Sequence, residues 1–423
     1  MCVERFTLYT QLRPSLRSMR HRPVCAARLS RSLHTRASAS PAAAAGRRLP
    51  GRLVGLGSAC VDLLAAVDKY PAPDAKIRTQ NLTVTGGGNT ANQLTAAARL
   101  GPWLHPKLWT KLGDDAYGQQ ICSDLEADNV DTTHVLHQQG CASPFTYIIV
   151  DLADKTRTCI HTPGPATAAS ELGADAVASL LADAALCMFD GRLAEVALVL
   201  AQAASERGIP CLVEAERPRE GLEAVLSCAT TVVTSATFPG TWTGHAQLHD
   251  ALMAAWARLP GAQIVVTTLG SEGSIALHRC PASGQAQAPV DAAGLATLLQ
   301  QLRAATAHAA PPPPRGSQPR PRNSVSSPPV LLAMRDDAGI TSQQWGRLIY
   351  TPAAVVHPDD IVDTTGAGDA FIGSLAYGLV DGLPLERSLA LASWVAAHRC
   401  RLPGPRPGLP RREEVPEMLL KLD

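Results

Sequence analysis

The densest group of reactive residues is Asp363-Thr364-Thr365-Gly366-Ala367-Gly368-Asp369-Ala370-Phe371, at the start of an apolar helical pattern. Gly366 and Gly368 permit positive φ and carry no side chain, so successive backbone N–H groups can turn toward one anion at the positive end of the helix. That is an oxyanion or phosphate site. A carboxylate beside such a site opposes the anion unless it is needed as a base, which gives Asp369 a catalytic rather than a capping role. Earlier in the chain, Gly86-Gly87-Gly88-Asn89-Thr90-Ala91-Asn92 also opens a helix. Here the glycines would let backbone approach a ligand. Asn89 and Asn92, three residues apart, would present amides from one helical turn, and amides that donate and accept suit sugar hydroxyls. No Gly-x-x-x-x-Gly-Lys-Ser/Thr loop is present, and Gly55-x-Gly57-x-x-Cys60 lacks the third glycine of a dinucleotide fingerprint.

These motifs need a scaffold, and from Arg52 onward the pattern is one of alternating strands and helices. Leu53 to Gly57 predicts a buried strand leading into a loop at Asp62; Asn89 to Leu100 predicts a helix capped by Asn89 and stopped by Gly101-Pro102. A strand at Lys107 to Leu112 and a helix at Ala116 to Ala127 follow, then a hairpin of Phe145 to Val150 and Thr156 to His161. Strands at 185–189, 210–213, 231–234 and 263–268 alternate with Ala- and Leu-rich helices, which predicts a parallel sheet covered on both faces. Ten Pro between Pro281 and Pro329 break the rhythm; 281–345 reads as a low-complexity, disordered insertion apart from a helix near 293–309. Leu348 to Val356 resumes as a strand, with helices at Ala370 to Val380 and Leu385 to Ala397.

Charge divides the chain. The first 50 residues hold ten Arg, no Lys and one acid, a balance of +9, whereas the remainder carries 28 basic and 36 acidic residues, a balance of −8. The basic, acid-poor start reads as an organelle transit peptide, chloroplast in preference to mitochondrion, and is set apart from the fold. The acidic body argues against a nucleic-acid binder. No apolar run reaches about 18 residues, so no membrane span is expected. The 11 Cys are scattered without a Cys-x-x-Cys pair, which predicts buried thiols in a reducing compartment.

The two Gly-rich motifs, in this order, resemble the PfkB or ribokinase-like carbohydrate kinase family over about residues 52 to 420, less the insertion. Val67-Asp68-Lys69-Tyr70-Pro71 with Asp74, Asp190-Gly191-Arg192 and Val213 to Glu220 resemble ketohexokinase more than ribokinase. The resemblance implies a three-layer α/β/α fold with a mostly parallel sheet and a small β lid at about 70–85 and 145–161, often a dimer contact. It implies that Asp62, Asp74, Gly88, Asn89 and Asn92 hold sugar hydroxyls and that Arg157 reaches the sugar and the transferred phosphate. It places the nucleotide against Thr268, Gly270 and Gly273, the anion hole at Gly366, Ala367 and Gly368, and the base at Asp369. ATP and magnesium are the implied cofactors, with a monovalent cation left open. The family's Asn-x-x-Glu segment, tied to magnesium handling, would fall near Thr234 to Phe238, where neither residue occurs. The expected activity is ATP-dependent phosphorylation of a ketose such as fructose. Its rivals are a ribose, nucleoside or other sugar-like substrate and, from a different class, a catalytically silent plastid scaffold.

Overall fold

A computed structural model describes residues 49, 51–154, 156–282, 288–307, 311–335 and 341–422, all in one compact unit spanning 40–423. The expected transit segment lies outside the described residues apart from Leu49.

Sequence runs of β-branched and aliphatic residues form β1 (Arg52–Leu56), β2 (Cys60–Val67) and β3 (Asn81–Gly87), followed by α1 (Asn89–Leu100), β4 (Lys107–Gly113), α2 (Ala116–Ala127) and β5 (Asp131–Gln138). The hairpin is β6 (Phe145–Asp151) and β7 (Thr156–Thr162). Next come α3 (Ala174–Leu181), β8 (Ala184–Phe189), α4 (Ala194–Glu206), β9 (Cys211–Ala215), α5 (Leu222–Leu226) and β10 (Thr231–Thr234). Then follow α6 (Phe238–Thr243), α7 (Leu248–Arg258), β11 (Ile264–Thr268), β12 (Ser274–Arg279), α8 (Ala292–Ala305), β13 (Val325–Ser326), β14 (Val330–Arg335), β15 (Thr341–Thr351), α9 (Ala367–Asp381) and α10 (Leu385–Arg399).

The large sheet runs β13-β15-β12-β11-β10-β9-β8-β1-β4-β5, with β14 also on β15. From β11 to β5 the pairing is parallel, and β12 to β15 add an antiparallel flank. Chain order reverses between β8 and β1. In open α/β sheets such a reversal leaves a crevice beyond the carboxyl ends of the strands, where ligands bind. Apolar residues pack on both faces of the sheet, one layer including α1, α9 and α10 and the other α4, α7 and α8.

A second sheet, β3-β2-β6-β7, stands apart. Its register aligns side chains in cross-strand rows. Asp62, Thr146 and His161 form one cross-strand row, and Val84, Leu63, Tyr147 and Ile160 form the next, on the opposite face. The small sheet therefore differs from the expected lid: Cys60–Val67 belongs to it, and of 70–85 only the part from Asn81 is strand. Asp62, expected in a loop, sits inside β2 because Leu63, Ala65 and Val67 alternate with it on a pleated strand.

Two further expectations are corrected. The 281–345 insertion contributes to the core at several described positions. Leu295, Leu299 and Leu302 of α8 are buried, as are Val330, Leu332 and Met334 of β14, and the indole Nε1 of Trp394 donates to Pro319 O at 2.7 Å. Helical spacing in the first trio and alternation in the second outweigh the surrounding prolines. The thiols are also less buried than expected. Of the nine described free cysteines, Cys60, Cys187 and Cys211 are buried, Cys159 is exposed and the other five are half-buried.

Candidate active site

Above the strand ends at the β8/β1 reversal lies a cavity of about 520 Å³, roofed by the small sheet through Asp62, Thr146, Arg157 and His161. A second cavity, of about 490 Å³, lies between β15, α9 and α10 and is lined by Ala353, Ala354, Val355, Phe371 and Ala396. The two share Thr268, Thr364 and Gly368. They are two halves of one cleft meeting at the Gly-rich loop.

Gly366 is the N-cap of α9 with φ 77°, a left-handed value that glycine adopts without strain. The loop is held from behind by Asp363. Its Oδ1 accepts from Thr365 N at 2.8 Å and Thr365 Oγ1 at 2.6 Å, and its Oδ2 accepts from Gly404 N at 2.8 Å and from buried Arg399 at 3.3 Å. Burial alone would raise the Asp363 carboxyl, but the Thr365 bonds and Arg399 outweigh it and hold it below the usual carboxylate range. Ala367 spends its N–H on Thr364 O at 3.2 Å and faces the apolar cavity. Of the three residues assigned to the anion hole, Gly366 and Gly368 are the ones that line the polar half.

Asp369 lines the same half, buried in the first turn of α9. Asn92 Nδ2 donates to its Oδ2 at 2.8 Å. The approach of α1 to α9 that makes this contact depends on Gly373, where a Cβ would collide with the Gln93 carbonyl. Burial pushes the Asp369 carboxyl up to about 6; the Asn92 amide and Arg192 oppose that rise, and Asp190 and Asp62 add to it. Burial likewise raises Asp62. A carboxylate that titrates near 6 in a cleft is suited to take a proton near neutral pH.

The Gly-rich run before α1 works differently from its expected role. Asn89 is the first helical residue, and the cap, Gly88 at φ 88°, makes no side-chain bond. At Gly86 a Cβ would meet the Arg406 guanidinium and at Gly87 the Asp62 carboxylate. These two glycines make room for charged side chains, while Gly88 lines the cavity. Asn89 and Asn92 both line it too but serve separate partners: Asn89 Nδ2 donates to Glu214 Oε1 at 3.0 Å, and Asn89 Oδ1 accepts from Arg192 at 3.2 Å. Buried Glu214 also accepts from Gln93 Nε2 at 2.6 Å, and burial with Asp369 nearby raises its carboxyl well above the ordinary range. Ser58, at the end of β1, gives both its N–H and its hydroxyl to Asp190 Oδ2, at 2.7 and 2.6 Å, across the strand reversal.

Arg157 reaches down from β7 to donate to Thr364 Oγ1 at 2.7 Å, above the loop. Gly270 and Gly273 line the apolar half with Thr268. Asp74 stands apart from the other predicted residues. It is exposed in the loop between β2 and β3 at φ 63° and lines neither half of the cleft. The residues that sequence reasoning missed are Ser58, Glu214, Glu216, Arg192, Arg399 and Arg406. Arg192 and Glu214 lie in segments singled out for their resemblance, without an assigned role.

Magnesium, expected with ATP, was tested against the donors present. Among the described residues no cluster of three or more His, Cys, Asp or Glu has metal-holding geometry, and the end of β10 offers Thr234 and Ser235 hydroxyls. The described residues thus offer it no three-carboxylate or His/Cys cage.

Residues 51–294 and 348–412 match the pfkB family carbohydrate kinase model. The chain belongs to that family of kinases. The match omits most of the insertion and includes both Gly-rich motifs and the small sheet. Ribokinase of Bacillus subtilis is 24% identical over 375 residues, 86% of this chain and 98% of its own. Among solved structures, Arabidopsis thaliana ribokinase complexed with ribose and ATP aligns with a TM-score of 0.59 at 19% identity, over 88% of this chain and 98% of that one. Ribokinase from Giardia lamblia aligns with a TM-score of 0.62 at 16% identity, over 88% and 100%. The fold is ribokinase-like, and the family's chemistry is ATP-dependent phosphorylation of a sugar.

Proposed function

We propose that this carbohydrate kinase transfers the γ-phosphoryl of ATP to the primary hydroxyl of a ribose-like sugar, with Asp369 as general base. The carrying observation is the divided cleft: a polar half with carboxylates and amides and an apolar half sized for a base, joined only at Thr268, Thr364 and Gly368. Phosphoryl transfer asks for that arrangement, since most of its catalysis is positioning and charge stabilisation. The sugar oxygen attacks the γ-phosphorus, its proton passes to Asp369, and the bond from phosphorus to the bridging oxygen of ADP breaks. Developing charge meets the N–H groups at the start of α9 and the Arg157 guanidinium. Magnesium would enter on the nucleotide phosphates.

Ribose is preferred to fructose because ribokinases recur among the relatives and structural neighbours. The fructose reading keeps one support, the Glu214 to Arg219 segment, whose Glu214, Glu216, Arg217 and Arg219 line the polar half. ADP release by the purified protein with ribose, fructose and nucleosides decides between them. A fructose kcat/KM above that of ribose would reverse the choice, and silence on the whole panel would favour the scaffold.

Two further readings belong here. The exposed row Val84, Tyr147 and Ile160 supports a homodimer through the small sheet. The +9 balance of residues 1–50 supports a cleaved organellar transit peptide, chloroplast before mitochondrion. An endogenous protein whose mass still includes Met1 would refute the latter.

A further inference from the structure

Arg406 is a buried charge behind the base, with no part in the chemistry above. It belongs to the Gly404-Pro405-Arg406-Pro407 loop that follows α10, and that loop is pinned on both sides. Arg99 Nη1 donates to the Arg406 carbonyl at 2.8 Å, and Arg399 holds the carbonyls of Gly404 and Pro405. The Arg406 side chain then has little freedom. Its Nε donates to Asn92 Oδ1 at 2.9 Å and its Nη2 to Gly87 O at 3.0 Å, while Nη1 fills the space a Cβ at Gly86 would need.

The orientation of Asn92 follows from the chemistry of its neighbours. A guanidinium has only donors, so the atom of the Asn92 amide facing it must be the carbonyl oxygen. The NH2 group is thereby turned toward Asp369, where it donates at 2.8 Å. Were the amide reversed, its oxygen would face a carboxylate oxygen and repel it. No other protein hydrogen bond to this carboxylate is present among the described residues.

We propose that Arg406 is a positioning residue, which locks the Asn92 amide in the one orientation that occupies Oδ2 of Asp369 and leaves Oδ1 for the sugar hydroxyl. The inference rests on the reading of Asp369 as the base. It joins three segments that are distant in sequence, the α1 start, the α9 start and the loop after α10, into one buried relay. The groups facing Asp369 are Asn92 from α1, Asp190 and Arg192 from the turn after β8, Asp62 from β2 and Glu214 from β9. Those facing Arg406 are Cys60 and Asp62 from β2, Asp124 from α2 and Asp128 at the C-cap of α2. Burial drives Asp369 upward, and the Asn92 bond is foremost among the influences that restrain it.

The test uses the full-length protein and the variants Arg406→Met, Arg406→Lys and Asn92→Asp. Met matches the length of the apolar stem but cannot fix the amide. Lys supplies a donor-only group one bond beyond the position of Nε. Asp at 92 still accepts from Arg406 but cannot donate to Asp369. Titration of 13C-carboxyl-labelled aspartate, with the Asp369 signal identified by its loss in Asp369→Asn, gives a readout independent of turnover. The Asp369 carboxyl is expected to titrate at a pH higher by about 0.5 or more in Arg406→Met and in Asn92→Asp, and near the parent value in Arg406→Lys. The acid limb of kcat should move with it. If Arg406→Met only melts earlier and titrates like the parent, Arg406 is purely structural and the proposal fails. If Arg406→Met does not fold, an Asp369 carboxyl that titrates like the parent in Arg406→Gln, whose amide can both donate and accept and so fixes no orientation, overturns it equally. If the variants shift upward but the parent phosphorylates no sugar, the relay stands and the kinase reading fails instead.

Discussion

Where the polar half of the cleft presents Asp62, Asn92, Arg157 and Glu214, the apolar half presents Ala353, Val355, Phe371 and Ala396. The polar half is assembled from single residues on six or more segments, several of them tied by buried bonds such as those of Asn92 to Asp369 and Gln93 to Glu214. The apolar half is assembled mainly from contiguous backbone after β15 and from neighbouring faces of α9 and α10. A charged network in low dielectric is worth much when complete and is costly when one member is lost. An apolar wall asks only for shape and volume. The first half should therefore respond to loss of hydrogen-bonding atoms, and the second to added volume.

The largest effect should come from removing a support of the apolar half. Excision of 281–344 takes away buried Leu295, Leu299, Leu302, Leu332 and Met334, and large-to-small changes at such sites cost roughly 2 to 5 kcal/mol each. Absence of folded protein on expression is expected. A folded, ATP-binding deletion product would show that the two halves stand without this support.

Asp369→Asn should lower kcat by roughly 10² to 10⁴ while leaving ATP affinity in place. The same variant carries a stability signature. Asp369 titrates near 6 when folded against 3.8 ordinarily, so as pH rises from about 4 to 6 the unfolded chain loses a proton that the folded one keeps. Parent stability falls across that window and stays reduced above it. Asp369→Asn should melt above the parent at pH 8 and level with it at pH 4; parallel melting curves at both pH values would contradict the assignment.

Asp62→Ala should raise the sugar KM about 10- to 150-fold, the equivalent of a charged hydrogen bond worth roughly 1.5 to 3 kcal/mol, with ATP KM within twofold. Steady-state kinetics with each substrate varied in turn would show the reverse pattern if the halves were exchanged. The smallest effect is expected from Ala396→Trp, which fills the apolar half and should raise ATP KM by about tenfold without changing sugar KM. A rise in sugar KM alone would mean that the base does not lie there.

The elements were largely legible because their signals are local. The strand at Thr231–Thr234, the helix at Ala116–Ala127 and the Gly366 to Asp369 loop follow from periodicity and Gly placement within a few residues. The insertion was misread although its signal was also local: leucines at 295, 299 and 302 and alternation at 330, 332 and 334 were present beneath the prolines. Parts of the site were illegible for a different reason. Arg406 is one arginine in a Pro- and Gly-rich loop, and its significance comes from Asn92, 314 residues away. The contact of Glu214 with Asn89 and Gln93 likewise arises only when β9 is set beside α1. Asp74 shows the opposite case, where a matched position lies outside the cleft in this structure.

The small sheet writes two traits in alternating letters of the same strands. Asp62, Thr146 and His161 line the polar cavity, while Tyr147 and Ile160, one residue along on their strands, are exposed on the opposite face. Substitutions at the outward positions can change the exposed surface without touching the inner face, so the two faces can drift independently in descendants of this gene. Insertions and deletions lack that freedom. Loss of a single residue inside β2 would reverse the strand's alternation, carrying Asp62 to the outside and Leu63 over the polar cavity. In this part of the chain, inheritance can tolerate many changes of residue type but hardly any change of length.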